Sequence, residues 1–122
     1  METYSGQCHC GTVQFEVRLT APITNAKRCN CSLCRRKGAL MTMIPKTDLT
    51  VVRGEDNLSL YQWNTKIARH YFCKTCGIYT HHQRRSDPSA MGVNIGCLDG
   101  VDPTRITEID LVDGASFSSV NP

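Results

Sequence analysis

Val13, Phe15 and Val17 alternate with Gln14, Glu16 and Arg18, the two-residue period of a strand with one face buried. Ala21-Pro22-Ile23-Thr24 interrupts that pattern, and the next apolar stretch, residues 39–44, stops at Pro45. Residues 49–52 read as a further strand, and Arg53-Gly54-Glu55-Asp56-Asn57 as a turn into a strand over residues 58–63. Asn64-Thr65-Lys66 then separates that strand from another over residues 67–72, which runs directly into Cys73-Lys74-Thr75-Cys76-Gly77. Residues 78–82 return as a strand, Arg84-Arg85-Ser86-Asp87-Pro88 form a polar loop, and residues 91–98 are expected to be extended throughout. After a turn at residues 99–103, Ile106, Ile109 and Leu111 suggest an edge strand, and the tail from Gly114 is expected to be loose. No segment carries a sustained helical period, and no repeat is visible. The pattern predicts a small, mainly β fold of short antiparallel hairpins: one domain over residues 1–113 and a tail over 114–122.

Composition narrows this picture. A chain of 122 residues falls in the size range of one domain. An aromatic fraction of 7% makes for a thin core, to which metal cross-links would add. The formal net charge of +3 is mild. Only Arg35-Arg36-Lys37 and Arg84-Arg85 approach a basic patch, which argues against a nucleic-acid partner. No run is long enough to span a membrane, and Met1-Glu2-Thr3-Tyr4-Ser5 shows neither the basic nor the apolar part of an export signal. A cytoplasmic location is therefore expected, where cysteines bind metal more readily than they pair.

Cysteine spacing carries the chemistry. Leaving Cys97 aside, the cysteines fall in groups of two, three and two: Cys8 and Cys10; Cys29, Cys31 and Cys34; Cys73 and Cys76. A strand running into CxxCG has the outline of a zinc knuckle. The simplest partition joins the outer pairs into a closed, structural four-sulfur site. That leaves Cys29, Cys31 and Cys34 as a three-thiolate site with one position open, the arrangement of catalytic zinc. Other partitions stay open at this level. Cys97, or one of His9, His70, His81 and His82, could close the triplet; Cys97 could equally be a small buried residue. Iron could replace zinc, and disulfides would need a geometry that residues two apart rarely reach.

Taken together, Gly6-Gln7-Cys8-His9-Cys10-Gly11-Thr12-Val13-Gln14-Phe15, Cys29-Asn30-Cys31-Ser32-Leu33-Cys34-Arg35, Phe72-Cys73-Lys74-Thr75-Cys76-Gly77 and Val93-Asn94-Ile95-Gly96-Cys97-Leu98-Asp99 resemble the glutathione-dependent formaldehyde-activating enzymes. These are also called S-(hydroxymethyl)glutathione synthases and are grouped with centromere protein V. The resemblance implies a β-tent fold with two Zn²⁺ per chain: structural zinc on Cys8, Cys10, Cys73 and Cys76, and catalytic zinc on Cys29, Cys31 and Cys34. It further implies carbon–sulfur lyase activity on an adduct of glutathione, or a similar thiol, with formaldehyde or another small aldehyde. A thiol carrier or non-catalytic zinc module is the alternative, and a homodimer is compatible with either. Among the cations that follow the triplet, Arg35 is expected to serve the catalytic site by holding a substrate carboxylate or bonding to the cluster.

Overall fold

The computed structural model describes residues 1–117. Ten strands, β1 (Glu2–Gln7), β2 (Gln14–Leu19), β3 (Ala26–Cys29), β4 (Met41–Pro45), β5 (Leu49–Arg53), β6 (Leu58–Tyr61), β7 (Arg69–Cys73), β8 (Tyr79–Gln83), β9 (Ala90–Asn94) and β10 (Ile109–Val112), are joined by short turns and one short helix, α1 (Ser32–Lys37). The expected mainly β architecture holds. A three-stranded sheet has the order β1-β2-β5 and a seven-stranded sheet the order β10-β3-β4-β9-β8-β7-β6. Every pairing is antiparallel except that of β10 with β3, which sets Val112 beside Cys29.

The alternation in β2 does what its period requires: Phe15, Val17 and Leu19 are buried while Glu16 and Arg18 face solvent. With Ile44, Met91, Val93, Cys97 and Leu98 they form the main apolar core, which joins the small sheet to β4 and β9 of the large one. A second, much smaller cluster consists of Cys8, Val13 and Cys73, with Leu58 and Cys76 against it.

Two strands escape the apolar pattern. β1 has one buried residue, Gly6, and β3 one, Ala26. They exist through their ladders to β2 and to β4 and β10, not through faces of their own. The extended stretch expected over residues 91–98 ends at Asn94. There the Asn94 side chain accepts from Gly96 N at 3.1 Å and starts a 3₁₀ turn over Ile95–Cys97. Of the tail expected to be loose, Gly114–Phe117 forms a further 3₁₀ turn, and residues 118–122 lie outside the described residues.

β8 is buried on both faces, and it carries His81 and His82. The His81 ring stacks on Tyr71 at 4.8 Å and lies 6.2 Å from Phe15, so it touches both sheets' side chains. Its Nδ1 is 2.9 Å from Thr80 Oγ1. Burial pushes its pKa down from 6.5 to about 4. A depressed histidine is neutral in both states above 6.5, and below that value the unfolded chain takes up its proton first. His81 therefore adds a loss of stability that begins as pH falls below about 6.5 and is complete near pH 4. Urea midpoints between pH 7 and 4.5 should fall less steeply for His81→Gln than for wild type, and equal slopes would refute the assignment.

Candidate metal centres

Two groups of sulfurs form, and the fold assembles each differently. The first joins two tight turns. Beyond β1 the chain folds over so that Cys8 N donates to Val13 O at 3.1 Å, and Val13 N donates to Cys8 Sγ at 3.3 Å. Between β7 and β8, Gly77 N donates to Cys73 O at 2.9 Å. Gly77 sits at φ +77°, which a side chain would resist and which lets the chain reverse after the CxxC. Sγ of Cys8 and Cys10 are 3.6 Å apart, and those of Cys10 and Cys73 are 3.7 Å apart. Zn–S bonds of about 2.3 Å in a tetrahedron place sulfurs about 3.8 Å from one another, so the donor set fits such an ion. Disulfides would bring the sulfurs to about 2 Å, and all eight cysteines are free. Cys76 completes the group.

Donors already face these sulfurs as they would face thiolates. Asn57 Nδ2 and Thr75 N point at Cys73 Sγ from 3.3 and 3.4 Å. Burial raises the Cys8 thiol to about 11. At Cys76 burial also opposes ionisation, but backbone donors at Cys10 and Ile78 and the neighbouring sulfurs outweigh it and draw the thiol down to about 6. This unequal set is one that a divalent cation would deprotonate together.

The second group is built on the end of β3 and the start of α1. Cys29 is the last residue of β3, Cys31 caps α1, and Cys34 lies within it. Cys31 Sγ accepts from Cys34 N at 3.2 Å, so the sulfur stands in for the usual oxygen cap. Asn30, between two of the cysteines, fixes the turn to the end of the chain. Its N donates to Val112 O at 3.1 Å and its Nδ2 to Asp113 Oδ1 at 3.0 Å, while its Oδ1 accepts from Ala115 N at 2.9 Å. Gly114 passes so close that a Cβ there would lie 2.5 Å from Cys29 Sγ. The expected loose tail thus begins as a wall of the site.

Three sulfurs come together here, and among the described residues no fourth His, Cys, Asp or Glu donor joins them. Cys97 is in the main core with its thiol 3.5 Å from Tyr79 O. His9 is exposed. The three cysteines are strongly linked: hydrogen bonds with Cys29 and Cys34 hold Cys31 down to about 2, and Cys29 and Cys31 raise Cys34. Either group of cysteines could therefore hold a metal ion, one with four protein sulfurs and the other with three.

Arg35 is exposed and does not line the pocket beside the sulfurs. The cation that turns inward is Lys37. Residues three apart share a helix face, so Lys37 follows Cys34 while Arg35 points about 100° away. Lys37 Nζ lies 3.2 Å from His70 Nδ1 and 3.6 Å from the centre of the Tyr79 ring. Burial lowers its pKa, and the charge of Cys34, Cys31 and Cys29 opposes that shift. Behind it, His82 Nδ1 and Tyr79 OH are 2.6 Å apart, and the His82 ring stacks on His70 at 5.2 Å. In the sequence, His70 and His82 stand out only as optional fourth ligands. Strand periodicity does not single them out, because β8 is buried on both faces.

A pocket of about 310 Å³ opens onto the sulfur triplet. Besides Cys29, Cys31 and Cys34, it is lined by Met41 and Met43 of β4, Trp63 and Ala68 of the β6–β7 connection, and His70 and His82 of β7 and β8. Arg84 and Arg85 bring positive charge to the same lining.

A family model described as glutathione-dependent formaldehyde-activating enzyme matches residues 3–109. A Halomonas elongata protein provisionally named as such an enzyme is 34% identical over 79 residues, 58% of this chain and 50% of that one. A Fusarium vanettenii protein with the same provisional name is 29% identical over 79 residues, covering 62% and 42% of the two chains. The matched region thus spans about half the length of these relatives or less. A crystal structure of a Rhodobacter sphaeroides protein superposes with a TM-score of 0.84 at 52% identity, covering 88% of this chain and 99% of that one.

Proposed function

The chain belongs to the family of glutathione-dependent formaldehyde-activating enzymes, and from that premise we propose that it is a zinc-dependent carbon–sulfur lyase. Its substrate is an adduct of a thiol with a small aldehyde, S-(hydroxymethyl)glutathione or a related one. Zn²⁺ is taken at both centres, and the enzyme acts in the cytoplasm. The single observation that carries this reading is the inequality of the two sulfur groups: four donors in one, three in the other, the latter lining a pocket.

Cys8, Cys10, Cys73 and Cys76 would hold a structural ion, and Cys29, Cys31 and Cys34 a catalytic one. Zinc at the second centre would supply a place where an incoming thiol is bound as thiolate, the form that adds to a carbonyl carbon. The chain's own residues do the rest. Three thiolates bring three negative charges, of which a divalent cation offsets two, and Lys37 faces the remainder. Arg84 and Arg85 suit the carboxylates of a peptide thiol such as glutathione. In the forward direction a C–S bond forms, the carbonyl electron pair moves to oxygen, and the proton given up by the thiol is matched by the one that the new hydroxyl takes. The reverse direction breaks the same C–S bond.

Because thiols and formaldehyde combine unaided, the test must read a rate. Exchange NMR with ¹³C-formaldehyde and glutathione at equilibrium should show faster interconversion of free aldehyde and adduct when zinc-loaded protein is added. Unchanged exchange with glutathione bound would make the chain a carrier and end the lyase reading.

A further inference from the structure

We infer that the pocket beside the sulfur triplet takes an adduct whose aldehyde half carries an apolar group of several carbons, with Trp63 as the side chain that selects it. This rests on the reading that the site handles thiol–aldehyde adducts. A volume of about 310 Å³ is that of a ligand pocket. Met41, Met43, Trp63, Ala68 and Val112 line it, drawn from β4, the β6–β7 connection and β10. Its apolar character is thus assembled from three separate parts of the chain.

Met43, Trp63, Ala68 and Val112 remain partly exposed to solvent. Covering them releases water only if the ligand brings apolar surface of its own. Formaldehyde has a single carbon, and glutathione is mostly carboxylate, ammonium and amide, so neither offers that surface. Polar recognition has its own place in the lining, at Arg84 and Arg85. Those two suit the charged thiol half, which assigns the apolar surface to the half derived from the aldehyde.

The experiment uses zinc-loaded, full-length protein and S-methyl-, S-butyl- and S-hexylglutathione, whose S-alkyl chain stands where the aldehyde carbons would be. Trp63 is the one tryptophan of the chain, so its emission reports occupancy directly, and calorimetry gives affinity in parallel. Affinity should rise about two- to fourfold for each added methylene. The Trp63→Ala variant should lose at least half of that increment, and Met43→Ala should act in the same direction; a Trp63→Ala series as steep as that of the wild type would overturn the inference. Hexyl methyl sulfide, a thioether like the members of the series but without carboxylates, should bind at least tenfold more weakly than S-hexylglutathione. A flat series in the wild type, no binding by any member, or hexyl methyl sulfide binding as tightly would overturn the inference. Its failure is separable from that of the lyase reading: accelerated formaldehyde exchange with a flat series defeats only the apolar aldehyde, and a rising series without exchange defeats only the lyase.

Discussion

Cys73→Ser will not hold its fold at room temperature. Cys73 is fully buried, and it belongs both to the four-sulfur group and to the small cluster with Cys8 and Val13. That cluster is the packing on which the four-sulfur group rests, and it contains three buried residues. Loss of an ion from the proposed structural centre would be decisive on magnitude. Structural zinc contributes about 10–16 kcal/mol in small domains, against a net folding stability of about 5–15 kcal/mol. Serine also leaves Asn57 Nδ2 and Thr75 N facing a shorter, harder atom than the sulfur they now meet. The expected result is loss of the cooperative thermal transition seen by circular dichroism, with at most one zinc retained per chain. A melting temperature within a few degrees of wild type would show that the first centre is dispensable.

Cys34→Ser is expected to give the opposite profile, a folded chain without activity. The triplet lies where β3 meets α1, away from the main core. Serine keeps the backbone N–H that donates to Cys31 Sγ, so the cap of α1 survives. Two sulfurs do not make a tight site, and the second ion should be lost. Acceleration of adduct exchange should fall at least ~100-fold, in line with the several kcal/mol that a metal supplies as a Lewis acid. One zinc per chain and a cooperative melt should remain. Exchange at the wild-type rate would place the chemistry elsewhere.

These two substitutions separate because the sequence already separates the cysteines. Spacings of CxC, CxxC and CxCxxC fix which sulfurs can share an ion locally, and this much is legible in the sequence alone. The union of Cys8 and Cys10 with Cys73 and Cys76 spans the chain, and it follows from counting as soon as structural sites are required to have four donors. Strand β2 was legible because one face is wet. β1 and β3 were not, since Glu2–Gln7 and Ala26–Cys29 carry no apolar run or alternation and are held as strands by their ladders. The choice among Arg35, Arg36 and Lys37 required knowing that the segment is helical: helical spacing puts Lys37, not Arg35, on the face of Cys34. The part of Gly114 was hidden for a different reason. A glycine near the end of a chain looks like slack until Asn30 is seen to hold Val112, Asp113 and Ala115.

The proposed chemistry requires that a visiting thiol reach an ion held by Cys29, Cys31 and Cys34. Protein loaded with Co²⁺ at both centres reads this directly, because sulfur-to-cobalt bands report each change of ligand. Adding glutathione should shift the visible spectrum and saturate at one glutathione per chain, and Cys34→Ser should abolish the shift. A wild-type spectrum that glutathione leaves unmoved at saturating concentration would contradict the claim that the second centre accepts a thiol.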